Sequence, residues 1–212
     1  MISLLNIDCM EYMATVPNKY FDLAIVDPPY GIGASMGVGL HSRNKYQKAE
    51  KMWDVRIPDD TYFNELFRIS VNQIVCGANY FSSFLPSSKS FICWIKNNPA
   101  PNFAEAEILW TSFNINGKVY DSRKQIQHEI MWEGGSIHPT QKPVQLYKWL
   151  LKNYAKPEFK IIDTHGGSMS SVIACWDFGI AEMVCCEIDK DYFEAGKKRF
   201  EIHKMQLKMQ LK

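Results

Sequence analysis

The sequence predicts an α/β fold: a mostly parallel sheet of about seven strands with helices on both faces. Three observations carry this. Strand-like and helix-like segments alternate along the chain. The segment "FDLAIVD" (21–27) is almost continuously apolar, the pattern of a strand covered on both faces of its sheet. Near residue 160, "FKIIDT", "SMSSVIACWDFG" and "AEMVCCEI" read as strand, helix and strand, with glycines at the first turn.

The elements follow in order. "ISLLNID" is a short strand and "CMEYMATV" a helix. "FDLAIVD" is the second strand. Residues 31–60 lack clear periodicity and read as a long loop, the kind that often carries function. "TYFNELFRISV" is helical, and "QIVCGAN" and "SFICWIK" are strands. "AEAEILWTSF" fits strand or helix; the aromatic-rich edge after it favours strand. Residues 114–137 read as a second polar loop region. "TQKPVQLYKWLLKNYA" is an amphipathic helix, and "DKDYFEAGKKRFEIHKMQLKMQLK" a charged terminal helix. No internal repeat or low-complexity segment interrupts this plan, so residues 1–212 are expected to form one domain.

Composition narrows the class. With 46% apolar residues, 22% charged and a net charge of +1, the chain is not a uniformly polybasic nucleic-acid binder. Such a partner must be met by a local patch. The six cysteines include no C-x-x-C pair and sit mostly in apolar runs, as buried free thiols do. Adjacent Cys185 and Cys186 in a strand should face opposite sides. The N-terminus lacks a basic start, and no apolar run approaches membrane-spanning length. The expectation is a soluble cytoplasmic protein with no membrane partner.

Residues 161–171, "IIDTHGGSMSS", point to a ligand. Gly166 and Gly167 let backbone come close to it, and the helix start offers free N–H groups. Glu187, about twenty residues on at the end of the next strand, is placed to bind both hydroxyls of a ribose. This is the layout of a nucleoside crevice. Asp163 either holds the turn or meets a charged amine of the ligand. The spacing is not G-x-G-x-x-G, which argues against a nicotinamide cofactor.

The stretch "LAIVDPPYGIG" (23–33) supplies the chemistry. Asp27 ends its strand at the carboxyl edge, where open α/β sheets bind ligands. Pro28 and Pro29 stiffen the turn, and Pro28 offers a carbonyl with no N–H beside it. The Asp27 carboxylate and the Pro28 carbonyl suit a planar group with two N–H donors, such as a nucleobase amine. Tyr30 offers a face for stacking, with Phe81 or Trp94 as opposite partners. The plain alternative is a proline turn with a capping aspartate.

"DPPY", the glycine turn and "HPTQKPVQL" together resemble the S-adenosylmethionine-dependent DNA amino-methyltransferases, which methylate N6 of adenine or N4 of cytosine. D-P-P-Y precedes the glycine turn here, the permuted order of the beta group. "NIDCMEYM", "CGANYF" and "CWIKNN" are similar to further segments, so the resemblance covers nearly the whole chain and is nearest to small phage-like members. It implies a Rossmann-like class I methyltransferase fold, S-adenosylmethionine as cofactor, double-stranded DNA as partner, no metal, and a monomer or homodimer.

The resemblance also implies roles. Asp27, Pro28, Pro29 and Tyr30 would be catalytic. Asp8 and Cys9 would lie at the cofactor's adenine. His138, Thr140, Gln141 and Lys142 would lie at its methionine end, with Lys142 pairing the carboxylate. Asp163, His165, Gly166, Gly167, Ser168, Glu187, Ile188 and Asp189 would complete its site. The turn departs from the family's D-P-F-x-G-S-G-T-T: Thr164 replaces proline, His165 replaces phenylalanine, and Met169 stands where a glycine is common. DNA contact falls to regions near 33–60 and 114–137, on Arg43, Lys45, Tyr46, Lys48, Arg123 and Lys124. The first position of D-P-P-Y favours adenine. N4-cytosine methylation and a non-catalytic DNA- or nucleotide-binding module that kept the fold are the alternatives.

Overall fold

The computed structural model describes residues 1–33, 54, 56–96, 104–122 and 137–210. Eight strands form one sheet: β1 (Ile2–Leu5), β2 (Phe21–Val26), β3 (Ser70–Val75), β4 (Phe91–Ile95), β5 (Ala106–Thr111), β6 (Lys118–Asp121), β7 (Lys160–Asp163) and β8 (Glu182–Cys186). Their order is β1-β8-β7-β2-β3-β5-β4-β6. All pairs are parallel except those of β5 with β3 and with β4. The helices are α1 (Cys9–Ala14), α2 (Asp60–Ile69), α3 (Val144–Tyr154), α4 (Ser170–Phe178) and α5 (Lys190–Gln210).

The apolar run of β2 is explained by two cores. Leu23 and Ile25 face a cluster built with Leu146, Leu150 and Leu151 of α3 and Val172 and Ile173 of α4. Ala24 and Val26 face the opposite cluster, with Met13 of α1 and Tyr62, Phe63, Leu66 and Ile69 of α2. Strand side chains alternate faces, so a strand between two helical layers must be apolar throughout. Cys185 and Cys186 divide between the same two cores, as their adjacency predicts. Asp59 caps α2 by accepting from Thr61 N and Tyr62 N. At the other end of that helix Arg68 donates to the carbonyls of Met13 and Val16, each at 2.7 Å, tying α1 to α2.

The expected seven strands become eight, because β6 lies within the region read as loop. It is short, yet it pairs in parallel with β4. Tyr120 is buried against Trp149, and Lys118 donates to Asn153 Oδ1 at 2.7 Å. These tertiary contacts, not local pattern, make the strand. Among the described residues no helix is long and apolar enough to cross a membrane.

The order places the site. From β7 the sheet runs outward through β8 to β1, and from β2 outward through β3. Neighbouring β2 and β7 therefore flank a topological switch point, where a crevice opens at the carboxyl ends of the strands. Asp27 follows β2 and the glycine turn follows β7, so the two stretches singled out in the sequence meet there.

Met169 shows how the altered turn is accommodated. It adopts φ +60° at the start of α4, a left-handed conformation unusual for a residue with a side chain. Its side chain is fully buried, with its sulfur 3.4 Å from Cys185 Sγ. Room comes from α5: a Cβ on Gly196 would stand 2.5 Å from Met169 Cγ. The side chain fills a core gap while the backbone keeps the glycine-like bend. Met169→Ala should therefore destabilise the protein by about 2–5 kcal/mol, read from urea unfolding midpoints.

Candidate active site

Two walls of the crevice enclose a cavity of about 320 Å³. Asp27, Pro28, Pro29 and Tyr30 form one side. His165, Gly166, Gly167, Ser168, Glu187 and Ile188 form the other, and His138, Thr140, Gln141 and Lys142 also line the cavity, His138 near Gly167 and Lys142 on Asp27. The structure thus gathers fourteen of the residues singled out in the sequence around one space. Asp8, Cys9, Asp163 and Asp189 do not line it. Asp8 caps α1 through Met10 N, and Asp189 caps α5 through the N–H groups of Asp191 and Tyr192. Arg43, Lys45, Tyr46, Lys48, Arg123 and Lys124 lie outside the described residues.

At the D-P-P-Y turn one carboxylate oxygen is heavily used. Asp27 Oδ1 accepts from Lys142 Nζ at 2.6 Å and lies 2.7 Å from the Tyr30 hydroxyl. That hydroxyl also accepts from Lys142 at 2.9 Å and lies 2.9 Å from Glu107 Oε1. Lys142 is 3.1 Å from Glu107 Oε1, and Lys96 donates to Glu107 Oε2 at 2.6 Å. Among the described residues no donor reaches Asp27 Oδ2 or the Pro28 carbonyl. Asp27, Glu107 and Cys76 hold their ligand atoms within 4.8 Å of one another, the spacing of a cation site. The Lys142 ammonium contacts both of the carboxylates.

The sequence assigned Lys142 to the cofactor carboxylate. In the fold its ammonium turns to Asp27, because two carboxylates held close together, one of them buried, need a countercharge. Burial and the Glu107 charge push the Asp27 carboxyl above its ordinary range, while the ammonium opposes them. Glu107, also buried, is held at about 2 by Lys142 and Lys96. Lys142, despite its burial, is raised by Asp27 and Glu107 and stays charged.

Phe81 and Trp94, expected across a base from Tyr30, do not line the cavity. Phe81 is fully buried and meets Tyr30 edge-on. Trp94 is buried and donates through Nε1 to Ser122 Oγ at 2.9 Å. The stacked partner is Tyr80, with ring centroids 4.7 Å apart and planes 15° from parallel. Gly31 N donates to Asp54 Oδ1 at 2.8 Å, which fixes the exit from the turn.

The glycine turn is held from beneath. Asp163 accepts from His165 N at 3.0 Å and from Ser171 Oγ at 2.5 Å, so it is the turn's brace. Gly166 N donates to the Cys186 carbonyl, and a Cβ there would stand 2.5 Å from Cys185 Sγ. Glu187 accepts from Gly167 N at 2.7 Å and Asp189 N at 2.8 Å. Thr164 Oγ1 sits 2.9 Å from His165 Nδ1 and 2.7 Å from the Tyr62 hydroxyl. The two substitutions in the turn thus join one polar chain that orients the imidazole. Burial lowers His165 to about 4, so it is neutral near pH 7. His138 packs edge-on against Tyr192, at 4.4 Å between centroids.

Burial pushes Asp163 up to about 7, against the pull of Ser171 and the His165 N–H. The folded state therefore holds a proton that the unfolded chain releases near pH 4. The stability linked to this group is complete below about pH 4 and is lost as pH rises through about 7. Asp163→Asn removes that loss. Its stability relative to the wild type should increase from pH 5 to pH 8, by up to about 3 kcal/mol, in paired urea titrations.

The switch-point crevice and its acid after the second strand define the class: a methyltransferase of the Rossmann-like class I fold. The structure matches the crystal structure of an M1.HpyAVI-SAM complex, at 18% identity and TM-score 0.60, over 94% of this chain and 98% of that one. It also matches the cytosine-N4-specific PvuII DNA methyltransferase, at 14% identity and TM-score 0.63, over 94% and 86%. A sequence model of the DNA methylase family matches residues 86–198, more than half of the chain, and the chain belongs to that family. Curated relatives include Type II methyltransferase M.HinfI of Haemophilus influenzae, 23% identical over 93% of this chain and 67% of that protein. Another is the putative methylase YubD of Escherichia coli K12, 22% identical over 91% and 87%. The protein is an S-adenosylmethionine-dependent DNA methyltransferase.

The cavity fits that cofactor. Glu187 brings a carboxylate to the cavity lining, the group that suits a ribose diol, Ile188 and Pro28 offer apolar surface, and Thr140 and Ser168 offer hydroxyls. The volume lies within the usual range for ligand cavities. Tyr80, Lys96 and Glu107 were not singled out in the sequence. Glu107 had a signal: it alternates with Leu109 and Thr111 on the buried face of β5, where a carboxylate requires a partner.

Proposed function

We propose that the protein methylates the exocyclic N6 amine of adenine in double-stranded DNA. The observation that carries this is the division of labour at Asp27: Oδ1 is tied by Lys142 and Tyr30, while Oδ2 and the Pro28 carbonyl keep open acceptor positions at the cavity. An adenine amine has two N–H donors for these two acceptors. Aspartate in the first position of D-P-P-Y supports adenine over cytosine.

An exocyclic amine is a weak nucleophile because its lone pair is delocalised into the ring. Asp27 Oδ2 and the Pro28 carbonyl draw its two hydrogens out of the ring plane and localise the lone pair on nitrogen. When bound, S-adenosylmethionine supplies an electrophilic methyl group carried on a sulfonium sulfur. The charge of Asp27 offsets the positive charge that nitrogen gains, and the N–H hydrogen-bonded to Oδ2 loses its proton through that oxygen to solvent, leaving a neutral methylated amine. The rigid turn contributes mostly by positioning. Cys76, the thiol beside Asp27, is buried with its pKa pushed well up, so it stays protonated and is not a nucleophile.

The amine is inaccessible within a duplex, so the adenine enters the cavity by base flipping. Arg43, Lys45, Tyr46 and Lys48, with Arg123 and Lys124, supply phosphate contact and stacking in this reading.

Expression in a host free of DNA methylation tests it. Digested host DNA should contain N6-methyladenine, and DNA from cells expressing Asp27→Ala should not. N4-methylcytosine would instead assign the same acceptors to the cytosine amine.

A further inference from the structure

The charged group that ties Asp27 Oδ1 is itself built into a buried network. Lys142 is 5% exposed and touches Asp27 Oδ1, the Tyr30 hydroxyl and Glu107 Oε1. Glu107 is 8% exposed and is itself held by Lys96. A lysine has three N–H donors, and these three oxygens match them. So deeply engaged an ammonium is not available to a ligand carboxylate.

We propose that Lys142, braced by Glu107 and Lys96, is a positioning residue that fixes which oxygen of Asp27 meets the target amine. The inference rests on the reading of Asp27 as the amine's acceptor. By anchoring Oδ1, the ammonium sets the carboxylate's rotation and leaves Oδ2, which no described donor reaches, for the amine. It also keeps Asp27 an acceptor. Among the described residues, the other titratable groups near Asp27 are Glu107, Tyr30, Cys76, Asp163, Tyr62 and Tyr147. None of them is a cation. Removing the ammonium leaves Glu107 to repel the charge on Asp27 and favours its protonated form, which donates where an acceptor is needed.

A double-variant cycle tests this. In Asp27→Asn, Lys142 holds the amide oxygen, so the amide N–H groups face the substrate's own N–H groups, and kcat should fall roughly a thousandfold. In Lys142→Met, kcat should fall roughly tenfold to a hundredfold with the dissociation constant for S-adenosylmethionine unchanged. Its kcat should also recover at higher pH than that of the wild type, because a less stabilised carboxylate ionises later. In Asp27→Asn/Lys142→Met, the Tyr30 hydroxyl can accept from the amide, which is then free to flip. The double variant should be at least about tenfold faster than Asp27→Asn alone, a departure from additivity expected of residues in contact.

A double variant no faster than Asp27→Asn overturns the inference. So does a Lys142→Met enzyme with normal kcat and weakened cofactor binding, which would return Lys142 to the cofactor carboxylate. If Lys142→Met does not fold, Lys142→Gln keeps a donor without the charge, and an unshifted kcat–pH profile overturns the inference equally. Full activity in Asp27→Ala is a separate failure, of the reading of Asp27 itself.

Discussion

Asp27→Ala lowers kcat for DNA methylation by roughly a thousandfold or more, while S-adenosylmethionine binds within about twofold of wild type. In the proposed reaction the carboxylate meets the reacting nitrogen through Oδ2, and its loss would remove the interaction that localises the lone pair and offsets the developing charge. Asp27 stands at the end of β2 across the cavity from Glu187 and the glycine turn, so cofactor contacts survive. Folding survives too, since Lys142 keeps Glu107 as its counterion at 3.1 Å. Stopped-flow or quench kinetics with calorimetry for the cofactor measure both quantities. A fall in cofactor affinity that matched the fall in kcat would show Asp27 acting in cofactor binding instead.

Gly77→Ala, outside the D-P-P-Y turn, should lower kcat by about a hundredfold. Gly77 has φ +67°, and a Cβ there would stand 2.4 Å from Tyr30 Cε1 and 2.5 Å from Cζ. The ring is already stacked on Tyr80 at 4.7 Å, so it yields by moving its hydroxyl away from Asp27 and Lys142. The left-handed backbone adds about 1–2 kcal/mol of strain, a fall of a few degrees in Tm. Gly179→Ala separates the two effects. Gly179 has φ +77° but nothing within 4 Å of a Cβ, so that variant should lose similar stability and keep its kcat. Equal losses of activity in both variants would mean that backbone strain, not Tyr30, is responsible.

The sequence was most legible where one short segment carries a complete physical requirement. The β2 run demanded burial on both faces, Asp27 with two prolines demanded a ligand with donors, and the glycine turn with Glu187 demanded a close-bound polar group. Those stretches meet at the β2–β7 switch point. What stayed hidden depends on long separations. Glu107 is 77 residues from Tyr30, and Lys142 is 115 from Asp27. The sequence placed Lys142 beside the cavity but not the direction of its ammonium, which only the convergence of two carboxylates decides. β6 was missed because its pairing with β4 and the burial of Tyr120 are tertiary facts. Met169 shows a local rule outweighed: its left-handed backbone is held by a side chain packed against Cys185 and Gly196.

The central claim is direct transfer to an adenine amine held by Asp27. The most direct test is a single-turnover reaction of purified protein with methyl-labelled S-adenosylmethionine and unmethylated duplex DNA, followed by identification of the labelled nucleoside. The account predicts label in N6-methyladenine alone, formed by the wild type and not by Asp27→Ala. Label in any other nucleoside, or equal label in the two proteins, contradicts it.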